Sequence, residues 1–267
     1  MRDPLLPLLP GPQDADRPWL ICYGIDERVE LTGHVLSMWL AKIAGFVTSE
    51  SVPGDGVHVA LPPHWRSVAW ACGTWLAGRS VLLGSNEEIR TAGLIPELSV
   101  AFTPESLYDE AEAQVLVPPA SLALRWPEEL PALVLDGAAD LMHYPDRFTP
   151  VSTAADSVCL TDLTSEAAAP AAPGAPGGTA PSGGRLTVLT RAQLAARIEA
   201  ADAPAGSGRH SASRAVLVRS PDTAQMLQEV LVAWRTGRTA VVLTPEAGDD
   251  VAAAAIRQEG IQEGITA

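Results

Sequence analysis

One pattern constrains this chain before any other. The segment LPPHWRSVAWACGTWLAGRSVLL (61–83) returns, shifted by 159 residues, as RSPDTAQMLQEVLVAWRTGRTAVV (219–242). Pro62 falls on Pro221, Trp75 on Trp234, and Gly78-Arg79 on Gly237-Arg238. Val68, Ala71, Cys72 and Trp75 correspond to Leu227, Val230, Leu231 and Trp234. That spacing is i, i+3, i+4, i+7, which sets four apolar side chains on one helix face. Each copy reads as strand, proline turn, helix, glycine stop and strand. A strand–helix–strand unit of this length joins parallel neighbours by a right-handed crossover. The expected fold is therefore α/β, with helices layered on mainly parallel sheets and two repeated βαβ units at about 57–83 and 215–243. The repeat admits two readings. It forms two facing halves with a cleft between them, or it is two ordinary βαβ units obeying the same local rules.

The rest of the chain fits that frame. Residues 1–18 read as a Pro-rich tail. Trp19–Tyr23 and Arg28–Leu31 form a strand pair, after which Thr32 caps a helix reaching about Thr48. Within it Leu36, Trp39, Leu40, Ile43 and Val47 recur at helical spacing, and Lys42 snorkels at the edge of that face. Strands are expected at Val57–Leu61, Ser80–Leu83, Leu98–Phe102, Val115–Val117, Ala132–Leu135, Val158–Leu163 and Leu186–Leu189. Helices are expected at His64–Ala77, after Ser85, and from Pro104 to about Ala113. Leu141–Phe148 has no assignable pattern. After Glu166 the chain to Gly184 contains only Ala, Pro, Gly, Ser and Thr; such a tract cannot bury a core and reads as a flexible loop. Thr190 and Gln193 make a T-x-x-Q capping box. Ala203–Ser213 is a second flexible loop. Ala215–Val218 is apolar throughout, as at the centre of a parallel sheet. A helix over Asp222–Thr236, a strand at Thr239–Leu243 and an Ala-rich helix after Gly248 complete the chain. By organisation, 1–18 is the tail, 19–164 a first α/β part, 165–184 the loop, and 185–267 a second α/β part of the same compact domain.

Composition removes several functions. The 267 residues carry a net charge of -14, and 47% are hydrophobic. A surface that acidic repels phosphate backbones and anionic lipid, so neither nucleic acid nor membrane is an expected partner. Arginine occurs 17 times and lysine once, at Lys42; with the many alanines, this points to a GC-rich bacterial source. Cys22, Cys72 and Cys159 lack metal or redox spacing, and no disulfide is expected. The start is apolar but broken by prolines, unlike a signal peptide, and the expected location is the cytoplasm. The five histidines show no metal-ligating spacing. No Walker, nucleophile-elbow or dinucleotide-binding motif is present.

Element order and small motifs together resemble the N-terminal part of the adenylate-forming superfamily of acyl-CoA synthetases, peptide-synthetase adenylation domains and luciferase. The residues that carry the resemblance are VELTGHVLSMWLAKIAGFV (29–47), PGDGVHVALPPHW (53–65), TWLAGRSVLLG (74–84) and the helix and strand at 221–243. It covers most of this chain but only about the first half of a typical family N-terminal domain, without the adenine-binding and acid motifs or the small C-terminal domain with its lysine. The resemblance implies a phosphate-binding loop of the pattern T-S-G-T-T-G-x-P-K-G, followed by a Thr-His pair. Here Thr164-Ser165 take the first two places, Glu166 replaces the first glycine, Gly183 and Gly184 precede Arg185 at the lysine position, Thr190 matches the threonine, and Arg191 replaces the histidine. Thr164, Ser165, Gly183, Gly184, Arg185 and Thr190 are thus the degenerate phosphate-loop positions, implied as nucleotide-binding by the resemblance alone. A carboxylate at 166 would repel a triphosphate.

Three expectations follow. The first is a non-catalytic, truncated relative of these enzymes, with no assigned catalytic residue, metal or obligatory cofactor; ATP or AMP, an acyl ligand or a protein partner remain candidate ligands. The second is an enzyme of another kind using the cleft between the halves, or a ligase completed by a partner. Its acid–base candidates are His64 and the group Asp140, His143, Tyr144, Asp146 and Arg147. By default His64 faces solvent at a helix start, and the second group is a polar loop. The third is an interaction protein, a homodimer among them, presenting an apolar patch with Trp19, Trp126 or Trp234.

Overall fold

The computed structural model describes residues 3–11, 13–14, 17–164, 186–202 and 214–261. Strands β1 (Pro18–Tyr23) and β2 (Arg28–Thr32) form the N-terminal hairpin, followed by α1 (Gly33–Glu50). β3 (Val57–Ala60), α2 (Trp65–Leu76) and β4 (Val81–Leu83) make the first repeat unit. Then come α3 (Asn86–Ala92), β5 (Leu98–Ala101), β6 (Ala113–Leu116), β7 (Val134–Asp136), β8 (Val158–Asp162), β9 (Thr187–Thr190) and α4 (Arg191–Asp202). The second repeat unit is β10 (Ala215–Val218), α5 (Thr223–Arg235) and β11 (Thr239–Leu243), and α6 (Asp249–Gln258) follows it.

The two repeat units lie in different sheets. One sheet runs β7-β6-β5-β3-β4-β8-β9, parallel except for the β8–β9 pair. The other runs β10-β11-β1-β2, with β10, β11 and β1 parallel. Equivalence goes further than local shape. Trp75 donates its indole N–H to the Cys159 carbonyl on β8, the strand beside β4, at 2.8 Å. Trp234 donates its own to the Trp19 carbonyl on β1, the strand beside β11, also at 2.8 Å. Each helix ends the same way, with Gly78 at φ 77° and Gly237 at φ 72°. This left-handed conformation is nearly free for glycine alone, and it lets Arg79 and Arg238 N–H close back onto the Thr74 and Ala233 carbonyls. One core cluster joins both sheets through Leu40, Ile43, Trp70, Trp75, Leu227 and Trp234.

Local chemistry explains where the structure departs from the pattern. The helix expected from Pro104 is a single 3-10 turn, Pro104–Ser106, and the chain then extends towards β6. Side chains take the backbone groups a helix would use. Ser99 Oγ accepts from Tyr108 N–H at 2.9 Å, and Gln114 donates to the Tyr108 carbonyl at 3.1 Å. Ala215–Val218 is an edge strand, not a central one. Leu141–Phe148 begins as a 3-10 turn, Asp140–His143. The Pro-rich N-terminal segment packs into the core: Asp3, Leu5 and Leu9 are buried. Lys42 is anchored rather than snorkelling, donating to the Tyr144 carbonyl and pairing with Asp146, each at 2.7 Å.

Candidate functional site

In a parallel sheet the loops leaving the carboxyl ends of strands are where small molecules are held. Here such ends from both sheets converge. β3 leads through Leu61, Pro62, Pro63 and His64 into α2. β4 leads through Gly84 and Ser85 into α3, and β10 leads to Pro221 and Asp222 at the start of α5. Together with Thr164 after β8 and Pro245 after β11, these segments line a cleft of about 620 Å³. Thr223 Oγ1 donates to the Leu61 carbonyl at 2.7 Å, joining the two repeat units beneath it. The cleft is therefore built from the proline turns of both copies.

Its polar lining is uncharged or acidic. Ser85, Asn86, Ser106, Thr164 and Thr223 contribute hydroxyl and amide groups, and Glu87, Glu105 and Asp222 contribute carboxylates. Among the described lining residues there is no lysine or arginine. Asp222 caps α5, accepting from Gln225 N–H at 2.8 Å, and so spends one oxygen on the helix N-terminus. Asn86 donates to the Leu107 carbonyl at 2.9 Å, which fixes the cleft's outer wall.

Of the phosphate-loop positions, Thr164 lines this cleft, its hydroxyl donating to Asp162 at 2.6 Å. Thr190 does not join it. In the β8–β9 pair, Thr190 sits opposite Val158, at the far end of the hairpin from Thr164. Its hydroxyl accepts from Gln193 N–H at 3.2 Å, and Gln193 Oε1 accepts from Thr190 N–H at 2.9 Å, closing the capping box. Ser165, Gly183, Gly184 and Arg185 lie outside the described residues, as do Glu166 and the tract expected to be a flexible loop. Arg191, expected by resemblance at a histidine position, is fully buried in an ion pair with Asp3 at 2.6 Å, and its second amino group donates to the Trp75 carbonyl at 3.0 Å.

A smaller pocket of about 400 Å³ adjoins the cleft and shares Pro62, Pro63 and Pro245 with it. His64 lines it and is 3% exposed, so it does not face solvent. It caps α2: its Nδ1 accepts from Arg66 N–H at 3.1 Å, which places the ring proton on Nε2. Nε2 lies 3.4 Å from Ser121 Oγ and 3.7 Å from Glu27 Oε1. Burial, and secondly the Arg66 guanidinium, push its pKa from 6.5 down to about 4. A neutral imidazole whose free lone pair is already used by a backbone N–H has no acceptor left for a substrate proton. The second expected group does not assemble. His143 is exposed, Asp140 accepts from Asp136 N–H at 2.8 Å, Tyr144 hydroxyl binds Glu50, and Asp146 pairs with Lys42. Trp19, Trp126 and Trp234 are each no more than 9% exposed and present no patch. Sequence reasoning missed Glu27, Ser121, Thr244 and Glu246, which sit in turns and loops with no spacing signal.

No protein-family model matches this chain. A stretch of 59 residues is 36% identical to a Mycobacterium tuberculosis protein that carries only a numbered family name; it covers 21% of this chain and 24% of that protein. An acyl-CoA synthetase from Brucella canis superposes with a TM-score of 0.70 at 16% identity, over 98% of this chain and 46% of its own. This chain has the adenylate-forming fold. An acetoacetyl-CoA synthetase from Streptomyces lividans shares it with a TM-score of 0.67 at 16% identity, over 91% of this chain and 38% of its own. The chain thus spans less than half the length of either enzyme. Among the described residues, no helix of this adenylate-forming fold is long and apolar enough to cross a membrane.

Proposed function

We propose that this chain is a non-catalytic binding protein on the adenylate-forming fold, and that it holds a small molecule in the cleft between its two repeat units. The observation that carries the proposal is the charge of that cleft. Glu87, Glu105 and Asp222 line it, with no arginine or lysine among the described lining residues. A triphosphate needs N–H donors and cations around it. Carboxylates in their place repel it. What the cleft does offer is hydroxyls, an amide and the apolar walls of Leu61, Leu83 and four prolines. That lining suits a neutral or cationic ligand.

The test pairs two measurements on the full chain. Pyrophosphate release from ATP is followed with a panel of carboxylic acids, and thermal shifts are recorded with ATP, AMP, CoA and acyl-AMP analogues, since a ligand of the folded state raises the melting temperature. The expected result is no pyrophosphate above a no-protein control and no shift with ATP. Acid-dependent pyrophosphate release would overturn the proposal.

A further inference from the structure

The connection from β6 to β7 displays leucine to solvent. Leu122 is 83%, Leu124 79% and Leu133 97% exposed. Ile25, in the β1–β2 turn, is 63% exposed. Single exposed apolar side chains are ordinary, whereas several gathered on one rim mark a contact site. Two ties gather these. Glu27 accepts from Ser121 Oγ at 2.7 Å and from Ser121 N–H at 3.2 Å, which holds the Ile25 turn against the connection. Trp126 and Val134 pack in one buried cluster, which brings the chain at Leu133 back towards Leu124.

The display is anchored from below. Arg66 is buried, and its guanidinium donates to the Ser121 carbonyl at 3.1 Å and to the Ala123 carbonyl at 3.3 Å. Leu122 and Leu124, the residues that alternate with those anchors, stand out in solvent. Leu133 supplies an independent observation. Val134 N–H closes a turn on the Pro131 carbonyl at 3.1 Å, and Leu133 is the third residue of that turn, at φ 67°. A turn of this kind favours glycine or asparagine there. Among the described residues no other non-glycine residue has a positive φ. The leucine strains the backbone and gains no burial, so the fold does not account for it.

We propose that this rim docks a basic amphipathic helix of another protein. The leucines need an apolar face against them, and such a helix presents one with charged residues beside it. The charge it must carry is set by the surround. Asp26, Glu27, Glu128 and Glu129 flank the leucines, and Arg125 is the only basic side chain among residues 24–27 and 118–133. Lysine or arginine beside the apolar face complements that rim. A second copy of this chain fits poorly, because it brings the same carboxylates and a further net charge of -14 to the contact. Docking here is independent of any occupant of the larger cleft.

The probe is a fluorescein-labelled peptide with leucines at i, i+3, i+4 and i+7 and lysines between them, set against a twin with glutamate for lysine. Binding to the full chain is read by fluorescence anisotropy at physiological ionic strength. We expect saturable binding of the lysine peptide alone. Leu122→Ser/Leu124→Ser should weaken it at least about tenfold, as loss of apolar anchors does. Leu133→Asn should weaken it severalfold and melt no lower than the parent, since asparagine accepts the left-handed turn position. Val52→Ser/Ile95→Ser removes side chains of 59% and 57% exposure that precede β3 and β5, at the opposite end of the sheet from the leucines that follow β6. That control should leave binding intact. No saturable binding, equal binding of the glutamate peptide, undiminished binding by the leucine variants, an equal loss in the control, or a Leu133→Asn chain that melts clearly lower would each overturn the proposal. So would partition into phosphatidylcholine vesicles, or self-association that the leucine variants abolish, since either gives the rim a different occupant. The larger cleft's reading is scored separately, because its assay reads pyrophosphate and nucleotide.

Discussion

Replacing Asp3 tests how the N-terminal segment is held. Its side chain is 1% exposed and that of its partner Arg191 is 0% exposed. Asp3 Oδ2 accepts from Arg191 Nη1 at 2.6 Å and from the Thr153 hydroxyl at 3.0 Å, while Oδ1 accepts from Leu5 N–H at 3.0 Å. Asp3→Ala removes all of these and strands a guanidinium in the core, where its Nε already has no partner. Breaking a buried pair from one side costs about 3–5 kcal/mol, because the remaining charge has neither water nor a counter-ion. Arg191→Met strands the carboxylate and should cost a similar amount. The double variant strands no charge and leaves only the neutral Leu5 N–H and Thr153 hydroxyl without their Asp3 acceptor, a smaller cost than an unpaired buried charge. The expected double-mutant cycle is therefore strongly non-additive, with the double variant more stable than either single one. Urea unfolding followed by tryptophan fluorescence reads this directly. At a slope of about 3 kcal/mol per M, each single variant should lower the midpoint by roughly 1–1.7 M. Single variants within about 1 kcal/mol of the parent, or additivity in the double, would refute the assignment of a buried, mutually dependent pair.

Three further outcomes are expected. His64 has a folded pKa near 4, below its ordinary 6.5; the unfolded chain then takes up the extra proton, so its contribution to stability is full above pH 6.5 and is lost as pH falls towards 4, with a slope of up to ~1.4 kcal/mol per pH unit. His64→Asn, which can still cap α2, should flatten the dependence of the urea midpoint over that window; an unchanged slope would remove His64 as its source. Gly73→Ala places a Cβ 2.5 Å from Ile43 Cγ2 and 3.2 Å from the Leu40 carbonyl where α1 crosses α2, and overpacking there should cost ~1–3 kcal/mol in the same unfolding assay. Burial pushes the Cys22 and Cys159 thiols up to about 12 and raises Cys72 further, so a disulfide reagent at pH 8 should titrate no thiol in the native protein and all 3 cysteines after denaturation, and rapid native-state labelling would contradict that burial.

What could be read in advance divides along the range of the forces involved. The repeat units were legible because their rules are local: apolar spacing places Val68 and Trp75 on one face of α2, and Gly78 and Gly237 stop the two helices by backbone conformation alone. The same holds for Thr32, Ser85 and Thr190, whose capping bonds span three residues. The helix expected after Pro104 failed where a distant group intervened, since Ser99 on β5 captured the Tyr108 N–H. The pocket beside His64 lay beyond local rules. His64 looks like a solvent-facing cap until the β1–β2 turn is laid beside it, and what lays it there is the pairing of β1 with β11. That one parallel contact carries Glu27 and Thr244 to the same pocket, although 217 positions separate them. Arg191 shows the same limit from the other side. The resemblance sets it where an expected phosphate loop would be followed by histidine, yet its guanidinium turns into the core to meet Asp3, 188 residues away. A position matched by resemblance therefore carries no side-chain role with it. What the side chain does there is decided by the long-range neighbours that the sheets bring in, and here those neighbours form a buried ion pair at one end of the β8–β9 hairpin and a cleft lined by carboxylates at the other.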